Sequence, residues 1–226
     1  MNDHKSSDDS AKPEGQPRSI VLTFTLPYLA LAAVGAAVMV FGWKSIETAF
    51  RLPTTTDEIL ASVVAPLIAA AALLLMSQSL EAWFTSWRQL RGFILQIFGR
   101  TSTPALVWLA FISAMGEELL FRGAIQPLLG VFATSLVFGL LHIGPDRRIS
   151  AWTLWTVVAG IVLGLLYENT GSLIGPIIAH FAVNAISLVG IRRTWLRAAA
   201  AGSRNELKKN SSSSSKSASS NPPRES

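Results

Sequence analysis

The stretch "TPALVWLAFISAMGEELLFRG", residues 103–123, decides how this chain folds. Its first fourteen residues carry no charge. Ser102 or Thr103 can cap a helix there, and Pro104 suits the first helical position, where its missing N–H costs nothing. Glu117, Glu118 and Arg122 then place three ionisable groups in the segment, and apolar sequence resumes in "LLGVFATSLVFGLLH" (128–142). A bilayer core is about 30 Å thick and takes roughly 20 apolar residues per helix. Either this segment lies in lipid with its charges inside, or the chain is an unusually apolar soluble bundle.

Composition favours lipid. Of 226 residues, 50% are hydrophobic and 15% charged, and the mean hydropathy is +0.41. A soluble domain carries about 25% charged residues. The deficit is concentrated in long runs at 20–43, 59–80, 103–123, 128–142, 151–167 and 173–191. The first is too long for a signal-peptide core and no small-residue cleavage pattern follows it, so it is expected to stay. The expectation is an all-α fold, a polytopic membrane helix bundle of about six transmembrane helices over 19–197. Disordered polar tails are expected at 1–18 and, Ser-rich, at 198–226. "GPD" (144–146) and "ENTGS" (168–172) mark turns. Residues 81–103 stand apart. Trp83, Trp87, Leu90, Ile94 and Ile97 recur at helical spacing, interrupted by Arg88, Gln89 and Arg91. That suits a helix on the membrane surface, with extension of the second span as the alternative.

Six spans put both termini on one side. Sixteen of the nineteen Lys and Arg residues then fall on that side, in the tails, in 81–103 and in 143–150. The positive-inside rule places both termini in the cytoplasm of a cell whose inner membrane holds the protein. The net charge of +5 is therefore an orientation signal and an attraction to membrane lipids, with no nucleic acid implied. The absence of cysteine excludes disulfides, thiolate metal sites and cysteine nucleophiles.

A charge near the bilayer centre costs about 2.5–3.5 kcal/mol on insertion scales. Glu118 and Arg122, at i and i+4, can offset part of this against each other. Glu117 lies about 100° round the helix and has no local cation. His142 ends the fourth run, and His180 and Asn184 lie one turn apart in the sixth. Each alone has a plain explanation: a packed histidine, a carboxamide joining helices, a snorkelling arginine. Together they can activate water. A carboxylate in a low-dielectric pocket can act as general base. Two imidazoles and a carboxylate can equally hold a zinc that keeps one position for water. Asn184 can orient His180 or donate to an oxyanion. Gly160, Gly164 and Gly175 allow close helix approach. Other proteolytic chemistries lack their parts. There is no HExxH and no aspartate in a span, and Ser113, Ser135 and Ser187 lack the glycine-flanked setting of an activated nucleophile.

Three motifs in order, "EELLFR" (117–122), "FGLLH" (138–142) and "HFAVN" (180–184), resemble the CPBP family of CAAX-protease and bacteriocin-processing intramembrane proteases, also called Abi. The resemblance covers 104–191. It implies an intramembrane endopeptidase acting on a peptide or lipid-modified protein. By motif, Glu117 activates water, Glu118 and Arg122 complete that motif, His142 holds the water or metal, and His180 with Asn184 binds metal or the oxyanion. The family is described both as zinc metalloproteases, which would make Glu117, Glu118, His142 and His180 the ligands, and as metal-free glutamate proteases. A non-catalytic immunity or scaffold protein and a proton-coupled transporter are the competing functions. One tension remains. The fourth run, about 22 Å long, would leave His142 about 10 Å nearer the cytoplasm than Glu117. A bend near Gly123–Pro127, or a fourth span that starts inside the membrane, is expected to remove it.

Overall fold

A computed structural model of the chain describes residues 16–42, 46–144 and 150–219. Its helices are α1 (Gln16–Gly42), α2 (Ile46–Ala49), α3 (Thr56–Ile59), α4 (Ala65–Trp83), α5 (Thr85–Phe98), α6 (Thr103–Glu118), α7 (Gln126–Leu141), α8 (Ala151–Thr170) and α9 (Ile174–Ser219). Two π-helical segments, Leu60–Val64 and Leu119–Ile125, join α3 to α4 and α6 to α7. No strand occurs among the described residues. Among the described residues, five helical stretches are long and apolar enough to cross a membrane: Ile20–Gly42, Thr56–Trp83, Thr103–Leu141, Ala151–Thr170 and Ile174–Asn205. Their outward faces are large and apolar, with Leu26, Ile68 and Phe132 more than 60% exposed. The chain is an all-α, multi-pass integral membrane protein.

Six apolar runs become five such stretches because the third and fourth are continuous, 39 residues from Thr103 to Leu141. The interruption falls at Gly130, not at Gly123–Pro127. The π segment carries the chain helically through Gly123, and Pro127 follows it in the first turn of α7. Gly130 adopts φ 73° and ψ 171°, a combination open essentially only to glycine. Here the chain doubles back. The Phe121 and Phe138 rings lie edge to face at 5.0 Å, and the Arg122 guanidinium stands 4.8 Å over the Phe138 ring. Glu117 is thirteen residues before the turn and His142 twelve after it. The two arms match, so His142 returns to the level of Glu117, and the mismatch in depth disappears.

Helix α8 packs along this hairpin through its glycines. A Cβ on Gly160 would stand 3.0 Å from the Ser135 side chain, and one on Gly164 2.9 Å from Gln126 and 3.0 Å from Val131. Gly175 abuts Pro66 in the same way. Helix α1 runs beside α6, with Gly116 against the Tyr28 carbonyl and Gly35 against the Leu119–Leu120 backbone.

Phe84, in extended conformation, separates α5 from α4, so residues 85–98 form a helix of their own and not an extension of the second span. The apolar face of α5 packs Trp87 edge-on to Trp152 and Trp155. Arg91 ties α5 to Glu81 of α4 and to Thr194 of α9. Phe24 touches Phe98, and Gly99 abuts Trp195, so the start of α1 and the later part of α9 meet at the same end of the bundle. Helix α9 continues through Ser219, past the point where the sequence suggests an unstructured tail. Residues 1–15 and 220–226 of the two tails, and positions 145 and 146 of the "GPD" turn, lie outside the described residues.

Candidate active site

Four of the six motif residues, Glu117, His142, His180 and Asn184, line one region between α6, the end of α7 and α9, and Glu118 and Arg122 pack behind it. Arg122 and Glu118 are fully buried. One guanidinium nitrogen donates to Glu118 Oε1 at 2.9 Å and another to the Gly160 carbonyl at 3.1 Å. One turn further along α8, the Gly164 carbonyl accepts from Gln126 at 3.1 Å. A buried ion pair is tolerable only when further hydrogen bonds and packing compensate its desolvation. Here Gly160 and the Phe138 ring supply them. The pair sequesters two of the three charges in the "EELLFR" motif.

Glu118 has a second task. His180 Nδ1 stands 2.8 Å from Glu118 Oε1. His142 Nδ1 stands 2.7 Å from the Phe138 carbonyl, one turn earlier on its own helix. Both partners accept, so in each ring Nδ1 carries a proton and Nε2 is turned the other way. Both Nε2 atoms point at the same target: each lies 3.7 Å from Glu117 Oε2. That oxygen is buried and has no hydrogen-bond partner among the described residues. A separation of 3.7 Å is too long for a direct hydrogen bond, so a gap separates Glu117 Oε2 from both Nε2 atoms.

Two imidazole nitrogens and a carboxylate oxygen, with both rings fixed by hydrogen bonds behind them, make a donor set chemically suited to zinc. The two 3.7 Å separations are a few tenths of an ångström wider than a closed tetrahedral site. Ligand atoms at 2.0–2.1 Å in a tetrahedron stand about 3.3 Å apart. Among the described residues no three such groups stand close enough to hold a metal ion. Glu118, one of the four ligands the resemblance allows, is committed to Arg122 and His180 and stands behind the gap.

Asn184 joins the site through Ser113. It does not orient His180, whose Nδ1 is taken by Glu118. Its Nδ2 donates to Ser113 Oγ at 3.0 Å. The Ser113 hydroxyl in turn donates to the Ala110 carbonyl at 3.0 Å.

A cavity of about 660 Å³ contains these groups, with Ser113, Glu117, His142, His180 and Asn184 on its wall. Its remaining lining is mostly apolar and draws on elements outside the motifs: Tyr28 of α1, Leu73 and Leu74 of α4, and Trp87 of α5 with Trp152 and Trp155 of α8. No motif marks these residues. Gly116 is the nearest sequence signal for Tyr28, since a bare backbone next to the glutamates admits a neighbouring helix. Phe138 is a further participant. Its ring lies 4.3 Å from the His142 ring and under Arg122, and its carbonyl fixes the His142 tautomer.

Residues 99–186 match the family model described as Rce1-like, type II CAAX prenyl endopeptidase. A curated relative, the uncharacterized protein YpbD of Bacillus subtilis strain 168, is 37% identical over 126 residues, which cover 54% of this chain and 65% of the relative. The chain thus spans just under two thirds of that relative's length. No solved structure matches it. Over residues 99–186, where the three motifs lie, the chain is similar to the Rce1-like family of type II CAAX prenyl endopeptidases.

Proposed function

We propose that the protein is an intramembrane endopeptidase that cleaves a membrane-associated, lipid-modified protein tail with a water activated by Glu117. The single observation that carries this is the convergence of His142 Nε2 and His180 Nε2 on Glu117 Oε2, each at 3.7 Å, around a buried oxygen that lacks a partner. In this reading water occupies the gap. Glu117 takes one of its protons while the oxygen attacks the scissile carbonyl, and the C–N bond breaks as the same proton passes to the leaving amine. The oxyanion receives a hydrogen bond from Asn184. His142 and His180 hold the water in place, and Glu118 with Arg122 holds His180. Peptide hydrolysis then balances with water as the only co-reactant.

The apolar lining of the cavity, with its three tryptophans, supports a substrate that carries a hydrocarbon chain next to the scissile bond. The Lys and Arg distribution supports cytoplasmic tails. The test uses the purified full chain in detergent and an internally quenched peptide ending in a farnesylated CAAX sequence. Glu117→Gln should fold normally and lose cleavage by about 10²–10⁴-fold, the range of a positioned general base. Cleavage by Glu117→Gln at the wild-type rate would refute the proposal.

A further inference from the structure

We infer that Ser113 is a positioning residue for oxyanion binding: it locks the Asn184 carboxamide so that one N–H is presented to the cavity. The inference rests on the hydrolase proposal and adds a residue outside the three motifs.

Ser113 precedes Glu117 by one helical turn, lies on the same face of α6, and is 6% exposed. Its hydroxyl proton is committed to the Ala110 carbonyl, so its oxygen can only accept. An acceptor at that position selects the Asn184 rotamer in which the NH₂, and not the carbonyl, faces α6. The distance is 3.0 Å, between residues 71 apart in sequence. A carboxamide NH₂ has two protons. One goes to Ser113, and no other hydrogen bond is formed by Asn184 among the described residues. Its second proton is therefore available to a negative oxygen in the cavity that both residues line.

The same geometry excludes two other roles for Ser113. It is not set up as a nucleophile, because its proton is given to a main-chain carbonyl and not to a base. It is not a plain packing residue either, because an alanine would fill the space nearly as well but would leave Asn184 free to turn its carbonyl oxygen toward the site. An oxygen facing the developing oxyanion repels it, whereas an N–H stabilises it, so the orientation affects the transition state more than the bound substrate.

The experiment compares wild type, Ser113→Ala, Asn184→Ala and the double variant on the farnesylated CAAX peptide, with thermal unfolding of each in the same detergent. Ser113→Ala should lower kcat about tenfold, the scale of one net hydrogen bond, with KM unchanged. Asn184→Ala should lower kcat about 10²-fold, the scale of a lost oxyanion donor. The double variant should fall no further than Asn184→Ala. A wild-type kcat for Ser113→Ala overturns the inference, as does a double variant whose loss is the product of the single losses. A fall confined to KM or to thermal stability overturns it as well. A wild-type chain that leaves the peptide uncut refutes the hydrolase proposal itself, whereas a wild type that cuts beside an unaffected Ser113→Ala refutes only the role of Ser113.

Discussion

Gly130 sets the position of His142, and Gly130→Ala tests it. The glycine lies at φ 73° and ψ 171°, and a Cβ built on it would meet nothing within 4 Å. Alanine therefore brings no collision, only backbone strain, on the order of 1–3 kcal/mol for a residue forced into so sparse a region. The chain can relieve that strain by opening the hairpin. The far end of α7 is twelve residues from the turn, about 18 Å at 1.5 Å per residue, so a tilt of roughly 10° moves His142 by about 3 Å. That displacement nearly doubles the 3.7 Å between His142 Nε2 and Glu117 Oε2. Since a misplacement of about 1 Å can cost about 10² in rate, Gly130→Ala should lower kcat at least a hundredfold. The assay is initial-rate cleavage of the quenched farnesylated peptide, with tryptophan fluorescence following thermal unfolding. Gly92→Ala on α5 is the control, because a Cβ there also meets nothing within 4 Å and the helix gains about 1 kcal/mol of propensity. It should retain the wild-type rate. A Gly130→Ala enzyme as fast as wild type would show that the turn does not hold His142 in register, and the matched-arm reasoning would fail.

The adjacent glutamates should separate cleanly. Glu117→Gln should abolish cleavage with little effect on unfolding, whereas Glu118→Gln leaves Arg122 buried without its counter-charge and should cost about 3–5 kcal/mol, read as a large drop in Tm. Glu118→Gln at wild-type stability would mean that the ion pair does not hold the hairpin to α8. In the bare-water reading, 1,10-phenanthroline should leave cleavage intact; inhibition reversed by added zinc would replace that mechanism with a metal-bound one. Gly116→Ala places a Cβ 2.5 Å from the Tyr28 main-chain oxygen, where neither backbone can yield cheaply. It should push α1 off α6 and lower both Tm and kcat, and an unchanged Tm would show that α1 is not part of the site's wall.

The three motifs were legible because chemistry exposes them. A carboxylate, an imidazole or a carboxamide in an apolar run costs several kcal/mol, so each demands a partner, and the structure supplies partners from the other motifs. The turn that brings them together was not legible, for the same physical reason. Water-facing turns announce themselves with Asn, Asp, Ser or Pro-Gly, but the turn at Gly130 lies within "PLLGVF", flanked by Leu128, Leu129 and Phe132, all more than half exposed. Side chains presented to lipid have no reason to be polar, so the only trace of the reversal is one glycine among leucines. The length of the fourth run was the usable clue. A stretch of fifteen residues is too short to cross a bilayer. Treated as the return arm of a hairpin, it is long enough to reach from Gly130 back to the depth of Glu117 and no further. His142 ends that arm, and α8 starts again nearby, with Thr153 and Val157 packed against Gly139. In this hairpin, the depth of each motif is therefore set by how many residues separate it from the turn between them. An insertion or deletion within 124–141 should be more harmful than one of equal size in the polar link at 51–56.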